Sequence, residues 1–296
     1  MSFRRHGDDS CRDRHHGRLA GFLRGLLAGV PWSECAECCE VFHFPAPAAR
    51  ILRLHNPNGR TRVVGADRDD IEIRASKRAR AEAAEAANHL LEQIQVSSRT
   101  EGGALVLEVE VPKRWNRRGY VQLEVEAPRG IEIDVNAVNG RIDIEGIRAP
   151  VTARSSNGSA NIADVIGDVE IATSNAKVSC SCTCGRLVAR SSNGKIVLEN
   201  HRGSVDASTS NGLIRACLDE IGANGVLLAT SNGRIALELP EKADADVDLR
   251  VDNGVIRNDR SLCTAVRESN GRIRGRLGGG GPPIKLRTSN GSISLR

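Results

Sequence analysis

Three cysteines at strand spacing, Cys180, Cys182 and Cys184, form the sharpest chemistry-bearing set in the sequence. Residues two apart on a strand share a side, so these thiols are expected to face one way, with Cys35, Cys38 and Cys39 as further donors. Thiolate sets of this kind select zinc or copper(I). A second cluster, Lys113, Arg114, Arg117 and Arg118 around Trp115, suits an acidic partner through charge and stacking. The plainer expectation for it is a solvated loop with one packed tryptophan. Polysaccharide cleavage on a β-helix needs paired carboxylates in a groove with aromatic sugar platforms. After Tyr120 no aromatic residue occurs, and His201 is the only histidine there. The sequence also lacks a phosphate-binding glycine loop, a metalloprotease helix and a serine-nucleophile elbow. The expectation is a non-enzymatic chain with no cofactor and no evident small-molecule substrate.

The elements that must carry these residues are set by a repeat. Asn followed by Gly, or once by Ala, recurs at Asn139, Asn157, Asn175, Asn193, Asn211, Asn232, Asn253, Asn270 and Asn290, at intervals of 17 to 21 residues. Self-similarity at that period marks a solenoid, whose coils bury their apolar faces only against neighbours. Three residues after the Asn stand Ile142, Val178, Ile196, Ile214, Ile235, Ile256, Ile273 and Ile293, with Ala160 the one small member. Two further apolar positions lie six and four residues before the Asn in all repeats but that of Asn270, where the first is Thr264, as in Ile133 and Val135 or Leu187 and Ala189. Each repeat therefore reads as two period-two strands separated by turns. Cys180 falls at the inward site of Ile162 and Leu198, where a cysteine serves as a small hydrophobe, so the expectation is no metal. The Asn-Gly pair is expected to be a corner with positive φ, its stacked amides donating to one neighbour and accepting from the other. Gly167, Gly185 and Gly203 mark a second corner.

Earlier segments divide differently. Residues 1–44 are basic and carry Leu19, Phe22, Leu23, Leu26, Leu27 and Val30 at helical spacing. This amphipathic stretch is suited to peripheral contact with an anionic membrane, to a partner, or to capping the stack. Residues 45–130 are expected to hold opening coils around Asn58 and Gly59, a helical insert over 77–91, and a hairpin or two-strand coil from 104–111 and 120–127. Residues 131–296 form the Asn-Gly array. The fold class expected is thus all-β, a β-solenoid of about nine repeats with a helical insert and an N-terminal amphipathic helix.

Composition agrees with a thin aliphatic core: aromatics are 2% of the chain and glycines number 30. The net charge of +5 is spread among interleaved acids and bases, which is not a nucleic-acid footprint. Nine cysteines, an odd number without framework spacing, favour a reducing compartment. No apolar run reaches 18 residues, and the segment over 19–30 lacks a cleavage site of the A-x-A kind. The expected location is cytoplasmic or on the inner membrane, with the cell envelope as the alternative.

The motif around Ser156-Asn157-Gly158, Ser192-Asn193-Gly194, Ser210-Asn211-Gly212, Ser231-Asn232-Gly233 and Ser289-Asn290-Gly291 resembles the bacterial "putative adhesin" family of β-strand repeat proteins, a domain of unknown function. The resemblance spans about residues 45 to 296 and takes in Asn58, Gly59 and the helical insert. It implies a β-solenoid, in some members attached to envelope-stress or membrane modules. The function expected is a non-catalytic scaffold whose flat faces bind another protein or itself. A cell-envelope or surface adhesin is the alternative, and a cysteine-based metal or redox protein the third class.

Overall fold

The computed structural model describes residues 34–112, 118–268 and 271–296. The apolar stretch over 19–30, the cluster from Lys113 to Arg117 and Asn270 lie outside them. Among the described residues nineteen strands share one hydrogen-bonded network, with a single α-helix, Ala84–Gln93. The strands form where apolar and polar residues alternate, because β-branched side chains pack well on a pleated, half-buried surface.

Through the middle of the chain the pairing is parallel and the register advances by one repeat. Ile133, Val151, Val169, Leu187 and Val205 are successive partners on the first side. Ile142, Ala160, Val178, Ile196 and Ile214 are partners on the second. A short third side pairs Val165 with Thr183. All of these except Thr183 are apolar and buried, so every layer adds the same few aliphatic side chains to one continuous core. A fully buried Val, Leu or Ile contributes about 1.5–3 kcal/mol, which makes the stack, not any single layer, the stable unit.

Both ends depart from chain order. The layer built from Ala104–Glu110 and Arg118–Pro128 pairs in parallel with Ile51–Asn58 and Thr61–Ala66, outside them. These two strands pair with that neighbouring layer rather than with each other. At the other end Pro283–Leu295 lies between Ile214–Glu238 and Ala245–Asn258, although it follows both in sequence. The repeat around Asn270 does not stack in parallel. Its flanking strands, Cys263–Glu268 and Arg272–Leu277, form an antiparallel hairpin laid against Ala245–Asn258.

The helical insert is shorter than expected. Residues 70–81 form one strand, in which Ala75, Lys77, Ala79 and Ala81 face inward while Arg74, Ser76 and Arg80 are exposed. That strand pairs antiparallel with Glu34–Pro45 on one side and with Arg118–Pro128 on the other. An Ala and Arg alternation of period two satisfied the sheet, and the helix begins only at Ala84 with Ala87 and Leu90 buried. These antiparallel strands and the helix cover the N-terminal end of the stack.

Candidate functional site

The asparagines form a continuous external ladder. Asn157 donates to Asn139, Asn175 to Asn157 and Asn193 to Asn175, each through Nδ2 to Oδ1 at 2.9 Å. Asn211 donates to Asn193 at 3.0 Å, Asn232 to Asn211 at 2.9 Å, Asn290 to Asn232 at 2.9 Å and Asn253 to Asn290 at 3.1 Å. The ladder therefore follows spatial order and records the insertion of the last strand. At the opposite end Asn58 donates to the Gly119 carbonyl at 2.7 Å.

The corner itself differs from expectation. In the middle layers neither the Asn nor the Gly of the pair has positive φ. What excludes a side chain is proximity: a Cβ on Gly140, Gly158, Gly194, Gly212 or Gly233 would lie 1.6–2.3 Å from a carbonyl oxygen of the layer beneath. Left-handed backbone occurs instead seven residues after the Asn, at Gly146, Asp164, Cys182 and Asn200, with φ of 75, 50, 52 and 53°.

Sequence reasoning missed the hydroxyls two residues before six of the asparagines. Ser155, Thr173, Ser191, Thr209, Thr230 and Thr288 are buried under the corner. Thr209 Oγ1 donates to the Gly194 carbonyl at 3.2 Å and Thr288 Oγ1 to Gly233 at 3.3 Å. Ser191 Oγ accepts from the Gly194 N–H at 2.9 Å. The signal was present in the recurring Thr-Ser-Asn-Gly and Ser-Ser-Asn-Gly runs, whose first residue never varies beyond a hydroxyl in those layers.

One residue before the same six asparagines, Ser156, Ser174, Ser192, Ser210, Ser231 and Ser289 make a line across six layers. At about 4.8 Å per strand it runs for about 24 Å. It lies along two open depressions of about 360 and 390 Å³ that share Ser191 and Ser208. Arg154 and Arg190 stand on the same side. Arg154 bridges layers to Asp134 at 3.7 Å and Glu170 at 3.1 Å, and Arg190 holds Asp206. Such exposed pairs contribute at most about 1 kcal/mol each, so they order the surface more than they stabilise the fold.

The cysteines do not converge. Cys180 is buried, and desolvation pushes its thiol up to about 12, away from thiolate chemistry. The left-handed turn at Cys182 shifts the alternation, so Thr183 points inward and Cys184 outward. Cys35, Cys38 and Cys39 lie on Glu34–Pro45, six strand pairings from Val178–Ser191, or about 29 Å. Among the described residues no group of three or more His, Cys, Asp or Glu is placed to hold a metal ion. Arg118 pairs in register with Arg80, two residues from Tyr120, over whose ring the Arg78 guanidinium sits at 5.6 Å.

His201 occupies the third side, buried, with Nδ1 2.8 Å from Thr183 Oγ1 and Nε2 without a hydrogen-bond partner. Burial lowers its pKa, partly offset by hydrogen bonding of the ring to the backbone at Ser204 and Thr183. No helix among the described residues is long and apolar enough to cross a membrane.

No curated protein matches the chain. Three crystal structures with similar chains are a "putative adhesin" from Parabacteroides merdae, a "putative adhesin" from Bacteroides fragilis and a "putative cell adhesion protein" from Clostridium sporogenes. Identities are 7, 12 and 9%, and TM-scores 0.41, 0.33 and 0.28. The matches cover 89, 90 and 88% of this chain and 97, 99 and 99% of those chains, respectively. The Toastrack DUF4097 family matches residues 53–296, and the chain belongs to that family.

Proposed function

We propose that this protein is a non-catalytic β-solenoid scaffold that binds another protein, or a second copy of itself, through the flat side bearing the serine line. The observation that carries the reading is the regular row from Ser156 to Ser289, facing solvent beside the Asn ladder along two shallow open depressions. Small hydroxyls on a stiff sheet let a partner's backbone approach closely and offer hydrogen bonds at a fixed repeat, at little entropic cost. The same row is poorly suited to catalysis, which needs converging groups of different kinds and shifted proton affinities. The 131–296 array serves as the binding unit and 45–130 as its capped beginning.

A photo-crosslinking residue at Ser192 should give one defined adduct in the native cell, whereas the same residue at Ser181, on the second side, should give none. Equal labelling from both positions, or from neither, would overturn the assignment of the face. The adhesin alternative differs in compartment. Fractionation with alkylation of the exposed Cys35, Cys38, Cys39, Cys182, Cys184 and Cys263 separates the two. Reactive thiols in the cytosol or on the inner membrane support the intracellular scaffold, and surface exposure with oxidised thiols supports adhesion.

A further inference from the structure

A further depression, of about 440 Å³, lies on the second side at the C-terminal end of the stack. Arg215, Arg234, Arg257 and Arg296 line it. Its floor exists because of the inserted last strand: Ser292 is in register with Arg234 on one neighbour and Val255 on the other. Ser294 sits likewise between Ala236 and Arg257. Small side chains on the central strand, with long ones on both flanks, make a trough.

Its electrostatics are incomplete. Arg215 has Glu238 at 3.3 Å and Arg296 has Asp259 at 3.4 Å. Arg234 Nε donates only to the Ser292 hydroxyl, at 3.2 Å. Among the described residues neither Arg234 nor Arg257 has a carboxylate partner, unlike Arg154 and Arg190 on the first side. Four guanidinium charges face two carboxylates, which leaves two positive side-chain charges at one spot. Guanidinium forks match the oxygens of phosphate in pairs, and serine hydroxyls complete such a shell. Val255, 57% exposed at the rim, offers apolar contact to whatever organic body the phosphate carries.

We propose that this trough is a binding site for a phosphate monoester group, held by Arg234 and Arg257 with Ser292 and Ser294 beneath. The group can belong to a small soluble phosphomonoester or to a lipid headgroup. Titration calorimetry with glycerol 3-phosphate tests the first source. Co-sedimentation with phosphatidic acid vesicles, against phosphatidylcholine vesicles, tests the second. Binding in either arm is expected, and it should fall by at least about tenfold in the double variant Arg234→Gln, Arg257→Gln. The control is Lys177→Gln, Lys195→Gln, which removes the same charge from exposed positions elsewhere on that side and should bind as the parent does. Thermal unfolding of both variants should match the parent, since all four side chains are at the surface. Failure of both probes to bind the unmodified protein, or equal loss in the control, would overturn the proposal.

Discussion

The two corners that flank the second side of each layer are built on different constraints. At the Asn-Gly corner of the middle layers the backbone is ordinary and glycine is favoured because the neighbouring layer's carbonyl lies where a Cβ would go. At the corner seven residues after the Asn the spacing is looser and the constraint is the dihedral itself, met once by Gly146 and then by Asp164, Cys182 and Asn200. Stacking distance crowds a Cβ, which only Ala176 carries among these middle corners, whereas a left-handed φ tolerates one at a cost of about 1–2 kcal/mol. The difference teaches that a repeated glycine in a stacked sheet reports contact between layers before it reports conformation.

Substitutions can break this comparison or sharpen it. The largest effect is expected from Ile196→Asp, on the strand joining the two corners, which buries an unpaired charge among Val178, Ile214 and Leu198. It should cost more than about 4 kcal/mol and abolish the cooperative β transition seen by circular dichroism. Next comes Gly212→Ala, whose Cβ would meet the Gly194 oxygen at 2.3 Å and must push adjacent layers apart. A loss of about 3 kcal/mol or more in urea unfolding is expected, against about 1 kcal/mol for Gly146→Asn at the other corner. Equal losses at the two sites would erase the distinction drawn above.

Smaller effects follow. Asn193→Ala removes one donated and one accepted ladder bond at the surface and should lower stability by about 1–2 kcal/mol. Cys182→Gly relieves a left-handed cysteine and should raise it by about 1 kcal/mol, visible as a higher Tm. His201, turned inward just after Asn200, should make stability depend on pH. Its folded pKa lies below the ordinary 6.5, so the unfolded chain binds the proton more readily. The stability associated with the neutral ring is complete above about pH 6.5 and is lost as pH falls below it. Urea midpoints at pH 7.5 and 5.5 should therefore separate in the parent and converge in His201→Leu.

Much of this was readable from residue order. Inward positions such as Leu187, Val205 and Ile235 followed from period two within a repeat, because a strand presents alternate residues to one side whatever surrounds it. The Asn row followed from the recurring motif, since each layer returns the same motif to the same corner. The position of the serine line was present in the same motif, but its exposure was not, because a corner presents its side chains outward only once the layers are stacked.

Sequence by itself determined the repeat length, the core positions and the identity of the ladder, since each is a property of one layer copied along the chain. Tertiary structure alone decided which layers touch. A corner at Asn232 meets the one at Asn290 and not the one at Asn253, because identical edges pair equally well and the choice rests on how the ends are closed. That choice sets Ser292 and Ser294 between Arg234 and Arg257, sends Cys263–Glu268 and Arg272–Leu277 into a hairpin, and places 104–128 outside 51–66. It rests on contacts between segments far apart in sequence, and local periodicity carries no trace of them.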